Sequence, residues 1–152
     1  MPLLSVTRTL QTIACLWVGC LLGCSPSLPE YPEVMAEGEF IRIPLPEIAD
    51  GGVHFFTFKH AGTNVNFLVR TDGKGALHTH FDACYSCYRY KRGFIVEDDA
   101  LVCIACRLAY RLEEENWDFI GACAPIPFHF AVDGESVVIK RSVLEKGSRF
   151  FS

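Results

Sequence analysis

Apolar and polar positions along this chain fall into short blocks. Phe40-Ile41-Arg42-Ile43-Pro44-Leu45, Val53-His54-Phe55-Phe56-Thr57-Phe58 and Val65-Asn66-Phe67-Leu68-Val69-Arg70 are rich in β-branched and aromatic residues, which suit a pleated, half-buried surface. Between and after them, Asp50-Gly51-Gly52, Ala61-Gly62-Thr63-Asn64 and Thr71-Asp72-Gly73-Lys74-Gly75 supply turn chemistry. Three hairpin-linked strands are expected, with a further one over Ala76 to Phe81. Nearer the carboxy terminus, Phe128 to Val132 and Ser136 to Lys140 flank Asp133-Gly134 and predict another hairpin. Ser142 to Lys146 predicts one helical turn before the apolar end at Phe150-Phe151. The fold class is therefore mostly β, a small sheet of hairpin-linked strands.

Ahead of Glu39 the pattern changes. Residues 1–23 carry one cation, Arg8, and then an apolar run from Ile13 to Gly23. The run is short for a bilayer span and has the layout of a secretory signal. It closes on Leu21-Leu22-Gly23-Cys24, which resembles the lipobox of bacterial lipoproteins, so Cys24 is expected to become the lipidated first residue of the mature chain. A plain signal peptide or an uncleaved amphipathic anchor is the alternative. Pro26, Pro29 and Pro32 keep residues 24–38 out of a regular helix or central strand, so this stretch is expected to be a tether and 39–152 the folded domain. The expected location is the bacterial envelope, facing the periplasm, with the outer membrane slightly favoured because Ser25 rather than an aspartate follows the cysteine.

Composition narrows the partners. The chain has 152 residues, half of them hydrophobic and 21% charged, with a formal net charge of −4. One domain with a core fits this, whereas a disordered tail or a protein that wraps a nucleic-acid backbone does not. No familiar hydrolase or transferase motif is present, so an enzyme is not the expected reading.

Cysteine placement carries the chemistry. Of eight cysteines, five lie between Cys84 and Cys123. Cys84-Tyr85-Ser86-Cys87 and Cys103-Ile104-Ala105-Cys106 are two C-x2-C pairs with 15 residues between them, a zinc-ribbon-like knuckle spacing for four thiolates on one ion. The intervening segment forms a hairpin in this reading, with Asp98-Asp99 at its tip. Zn²⁺, a single Fe or an Fe–S cluster would accept these ligands. Disulfides within or across the pairs are the alternative in an exported chain. Tyr88 and Arg107, not histidine, follow the pairs, which disfavours covalent haem attachment. Cys123 is a candidate fifth ligand, a partner in thiol exchange or a buried free thiol. His78 and His80 alternate with Thr79, which on a strand puts both rings on one face ahead of Cys84, as further candidate ligands or solvated residues.

These cysteines and their flanks resemble the bacterial membrane iron-sulfur proteins associated with the high-affinity ferrous-iron permease. The resemblance rests on Phe81-Asp82-Ala83-Cys84-x-x-Cys87-Tyr88, Lys91-Arg92-Gly93-Phe94, Leu101-Val102-Cys103-x-x-Cys106 and Gly121-Ala122-Cys123-Ala124-Pro125. Arg107 stands where a glycine is usual in that family, and Ala122 and Ala124 replace glycine and asparagine. The resemblance implies a metal or Fe–S centre, electron transfer or metal handling in iron transport, and a permease or associated envelope protein as partner. With Arg8 alone there is no twin-arginine signal, so export should thread an unfolded chain and the metal should be acquired outside, which favours Zn²⁺ or mononuclear Fe. Two further functions stay open: a structural zinc module that docks a transport partner, and a thiol-disulfide exchange protein.

Overall fold

The computed structural model describes residues 28–115, 117 and 123–152. The expected signal peptide, the lipidation site at Cys24 and the first residues of the tether lie outside them, as do Gly121 and Ala122. Among the described residues the strands are β1 Glu33–Val34, β2 Ala36–Glu37, β3 Phe40–Pro44, β4 Val53–His60, β5 Thr63–Thr71 and β6 Leu77–Cys84, followed by β7 Phe94–Glu97, β8 Ala100–Cys103 and β9 Ala109–Arg111. Then come β10 Pro125–Pro127, β11 Ala131–Asp133, β12 Ser136–Lys140 and one helix, α1 Arg141–Gly147. The chain is mostly β, as its apolar pattern predicts.

The strands form three sheets rather than one. A five-stranded sheet has the order β1-β4-β5-β6-β10, a four-stranded sheet β11-β12-β3-β2, and a three-stranded sheet β7-β8-β9. The hairpin expected between the first two apolar runs is not formed. A 3₁₀ turn at Leu45–Ile48 intervenes, and β3 pairs with β12 and β2 instead of β4. Pro44 and Pro46 explain this: each lacks the amide a tight antiparallel return would need. The β4–β5 hairpin does form, turning on Ala61 and Gly62 at φ 47° and 79°, the doubly left-handed pair that matches strand twist.

The five-stranded sheet is covered on both faces, so its strands read as near-continuous apolar runs. Phe56, Phe58, Val65, Phe67, Val69, Phe81 and Ala83 pack into one core with Ile41, Ile43, Val137 and Ile139 of the second sheet and Leu144 of α1. The alternate positions Phe55, Leu68 and Cys84 join a second core with Phe94, Leu101, Cys103, Tyr110 and Trp117. Two cysteines are thus part of the apolar packing between the central and the three-stranded sheet.

Two segments differ from expectation. Phe128 to Phe130 is not a strand; the pairing lies on either side, in β10 and β11. β10 carries Pro125 and Pro127 and sits at the sheet edge against β6, a place where proline is tolerated in a sheet. Pairing also begins earlier than Glu39: β1 lies parallel on β4, and the Thr57 amide donates to the Pro32 carbonyl. Both contacts are at a sheet edge, consistent with the prolines there.

Candidate metal centre

β6 ends at Cys84, and the chain turns immediately through Tyr85 and Ser86 to Cys87 and a 3₁₀ turn at Tyr88–Tyr90. It returns as β7, reverses at Asp98-Asp99 into β8, and β8 ends at Cys103. The hairpin expected between the pairs is therefore present, in the register Phe94↔Cys103. The Ile104 amide donates to the Gly93 carbonyl at 3.1 Å, joining the second knuckle to the strand that follows the first. Arg111 of β9, a strand the apolar pattern did not reveal, pairs with Asp99 at the hairpin tip.

Both pairs have knuckle geometry. The Cys87 amide points at Cys84 Sγ at 3.1 Å. The amides of Ala105 and Cys106 face the Cys103 sulfur, and that of Leu108 faces Cys106. Backbone N–H groups aimed at sulfur stabilise thiolate, the form that binds a cation. The turn after the second pair needs a left-handed residue, and Arg107 provides it at φ 61°, with its amide on the Cys103 carbonyl at 2.8 Å. A left-handed turn of this kind is the backbone conformation that glycine adopts without a Cβ penalty.

The five sulfurs meet in two overlapping groups. Cys84, Cys87 and Cys103 have sulfurs mutually within 4.8 Å, and so do Cys87, Cys106 and Cys123, with Cys87 common to both. Cys84 and Cys103 are buried and 3.9 Å apart, and all five are free thiols. That separation fits the edge of a tetrahedron with metal–sulfur bonds near 2.3 Å, about 3.8 Å, and is far too long for a disulfide. Cys123 reaches the group because the Tyr85 amide donates to the Ala124 carbonyl and the Tyr110 hydroxyl to the Cys123 carbonyl. Burial raises the Cys103 thiol to about 11 and, with neighbouring thiols, also raises Cys87. For Cys106 burial is outweighed by the Leu108 amide and its thiol neighbours, and its thiol is shifted down.

β6 alternates, so His78, His80, Asp82 and Cys84 share a face. The histidines have other partners: His78 Nε2 is 2.9 Å from Asp72, while His80 stacks on Trp117 with ring centroids 5.1 Å apart. Burial and the nearby Arg70 guanidinium push His80 down to about 3, which keeps it neutral. Neither belongs to the two sulfur groups.

The residue that sequence reasoning missed is Asp82. Its carboxylate is buried, accepts the Phe94 amide at 2.7 Å and the Tyr31 hydroxyl at 2.7 Å, and burial raises it to about 6 against those two bonds. Gly93 stands over it at φ 66°, with no room for a side chain. The signal was present, since the alternation that paired the histidines also includes Asp82. Asp82, Tyr31, Cys84, Cys87 and Cys103 line one half-open cavity of about 300 Å³, with Lys91 and Arg92 also in its wall.

A family model described as membrane iron-sulfur containing protein FtrD-like matches residues 48–151. The chain belongs to the FtrD-like family. No curated protein and no solved structure matches it. The FtrD-like match takes in all five sulfurs, β4 to β12 and α1, and leaves β1 to β3 outside. Among the described residues of this FtrD-like chain, no helix is long and apolar enough to cross a membrane.

Proposed function

We propose that this FtrD-like chain is an envelope-anchored metal-binding protein that relays electrons or metal in iron transport. Cys84, Cys87, Cys103 and Cys106 are the ligands in this reading and Cys123 is the fifth sulfur available to the same centre. The observation that carries it is the convergence of five free thiols from two knuckles and the segment before β10, with backbone amides already aimed at three of them. A bound iron centre would supply a reversible one-electron couple. The protein's own contribution is to fix the sulfurs, dry Cys84 and Cys103, and leave a cavity that reaches them. A fifth sulfur, one more than a closed four-coordinate zinc site uses, favours a relay over a purely structural zinc module. The lipid on Cys24 and the permease or an associated envelope protein as partner complete the proposal.

The test is anaerobic purification followed by elemental analysis, visible absorption and a free-thiol count. One metal centre per chain is expected, with thiolate-to-iron absorption, and Cys87→Ser should abolish binding because Cys87 belongs to both sulfur groups. Bound zinc without colour would favour the structural module. Metal-free protein with its cysteines bridged would overturn the proposal. Cys106, shifted down beside Cys123, supports thiol exchange as the second reading. A Cys106–Cys123 disulfide formed with oxidised glutathione, which leaves as two reduced thiols, and lost in Cys123→Ser is its signature.

A further inference from the structure

Among the described residues, six cations elsewhere are paired: Arg42 with Asp133, Lys59 with Glu33, Lys74 with Glu115, Arg107 with Glu97, Arg111 with Asp99 and Arg141 with Glu145. Those around the cysteine cavity are not. Arg89, Lys91 and Arg92 lie within five residues after Cys87, all exposed, and none has an acidic partner among the described residues. Arg149 joins them from the carboxy-terminal turn: its guanidinium lies 4.8 Å from the centre of Phe150, which lines the cavity and packs edge-on against Tyr88. Tyr85, Tyr88 and Tyr90 are exposed on the same segment, with Arg89 over the Tyr90 ring at 5.2 Å. An acidic chain with a net charge of −4 thus has unpaired positive charge beside the opening to its sulfurs.

We propose that this arginine-, lysine- and tyrosine-rich rim is the docking surface for a partner protein with an acidic face, held over the cavity mouth; the proposal rests on the relay reading above. Arginine and tyrosine are enriched in protein interfaces because each combines apolar area with a directional polar end. Unpaired surface charge of one sign steers an oppositely charged partner and fixes its orientation. The extent of the patch decides against a small anion, because Arg89 and Arg149 lie outside the cavity wall. A lipid surface is disfavoured because a bilayer on this face would seal the cavity and cut the sulfurs off from any aqueous supplier.

The experiment measures association of the full-length chain, metal-loaded and metal-free, with an acidic [2Fe–2S] ferredoxin as probe. Vesicles of phosphatidylglycerol with phosphatidylcholine, and citrate, form the parallel arms. Binding to the ferredoxin is expected, weakening steeply with added salt. The triple change Arg89→Glu, Lys91→Glu and Arg92→Glu should weaken it at least about tenfold, while Lys140→Glu, on the second sheet, leaves it unchanged. All three rim positions are exposed, and an unchanged circular dichroism spectrum verifies the fold. Equal loss in the Lys140 variant, no loss in the triple variant, or binding to vesicles or citrate alone overturns the proposal. Metal binding without docking defeats this inference only, whereas docking without metal binding defeats the relay reading.

Discussion

Arg107 sits at φ 61°, where a Cβ costs roughly 1 kcal/mol or more relative to glycine. Its guanidinium grips both carboxylate oxygens of Glu97, at 2.8 and 2.7 Å, but on a half-exposed pair that recovers at most about 1 kcal/mol. Arg107→Gly is therefore expected to be neutral or to stabilise by up to about 1 kcal/mol in thermal melts, with metal binding retained. Gly93 is the opposite case. It is left-handed, and a Cβ there would overlap the Asp82 carboxylate. Gly93→Ala should cost roughly 3 kcal/mol or more from strain and overpacking together, read as a lower midpoint in urea. The carboxylate below it cannot retreat without breaking its bonds to Phe94 and Tyr31. Tyr31→Phe removes one of those donors from a buried acid and should cost about 1–3 kcal/mol in the same assay.

At the scale of elements, the turn between β5 and β6 has its own pH dependence. Asp72 accepts the Lys74 and Ala76 amides through one oxygen and faces His78 through the other, with Arg70 and Lys74 also nearby. The bond to His78, followed by the amide bonds, lowers it from 3.8 to about 2. A folded-state value below the unfolded one means stability present above about pH 4 and lost as pH falls through 2. Asp72→Asn should flatten that part of a stability-versus-pH curve, measured by chemical denaturation. The same scale shows what the amino acids disclosed. The β4–β5 hairpin, the hairpin between the cysteine pairs, β12 and the helical turn follow from local apolar blocks and turn residues. The partition into three sheets does not, because β3 finds its partner β12 nearly a hundred residues away, and local pattern has no access to that pairing. Pro125 and Pro127 argue against a strand on sequence grounds, because proline is excluded from central strands, yet an edge has no such requirement.

For the whole molecule, the sulfurs link layers. Cys84 belongs to the central sheet, Cys103 to the three-stranded sheet, and Cys123 approaches along the edge strand β10. The candidate ligands were legible because thiol spacing is a local property; their division into two groups sharing Cys87 needed the folded chain. A cation held among them would tie β7, β8 and β9 to β6, and its binding energy would be folding energy for that part. Stripping the metal with a chelator should release hydrogen-exchange protection in β7 to β9. The core shared by β4, β5, β6, β3 and β12 contains no cysteine and should stay protected.

Tyr31 pins the start of the folded part to Asp82 and Phe55. Seven peptide units separate it from Cys24, a stretch of roughly 25 Å at full extension. With an acyl chain on that cysteine, the protein could not swing across the compartment to collect cargo. Whatever exchanges electrons or ions with it would have to travel to the bilayer surface, and encounters with other membrane residents would become a search in two dimensions.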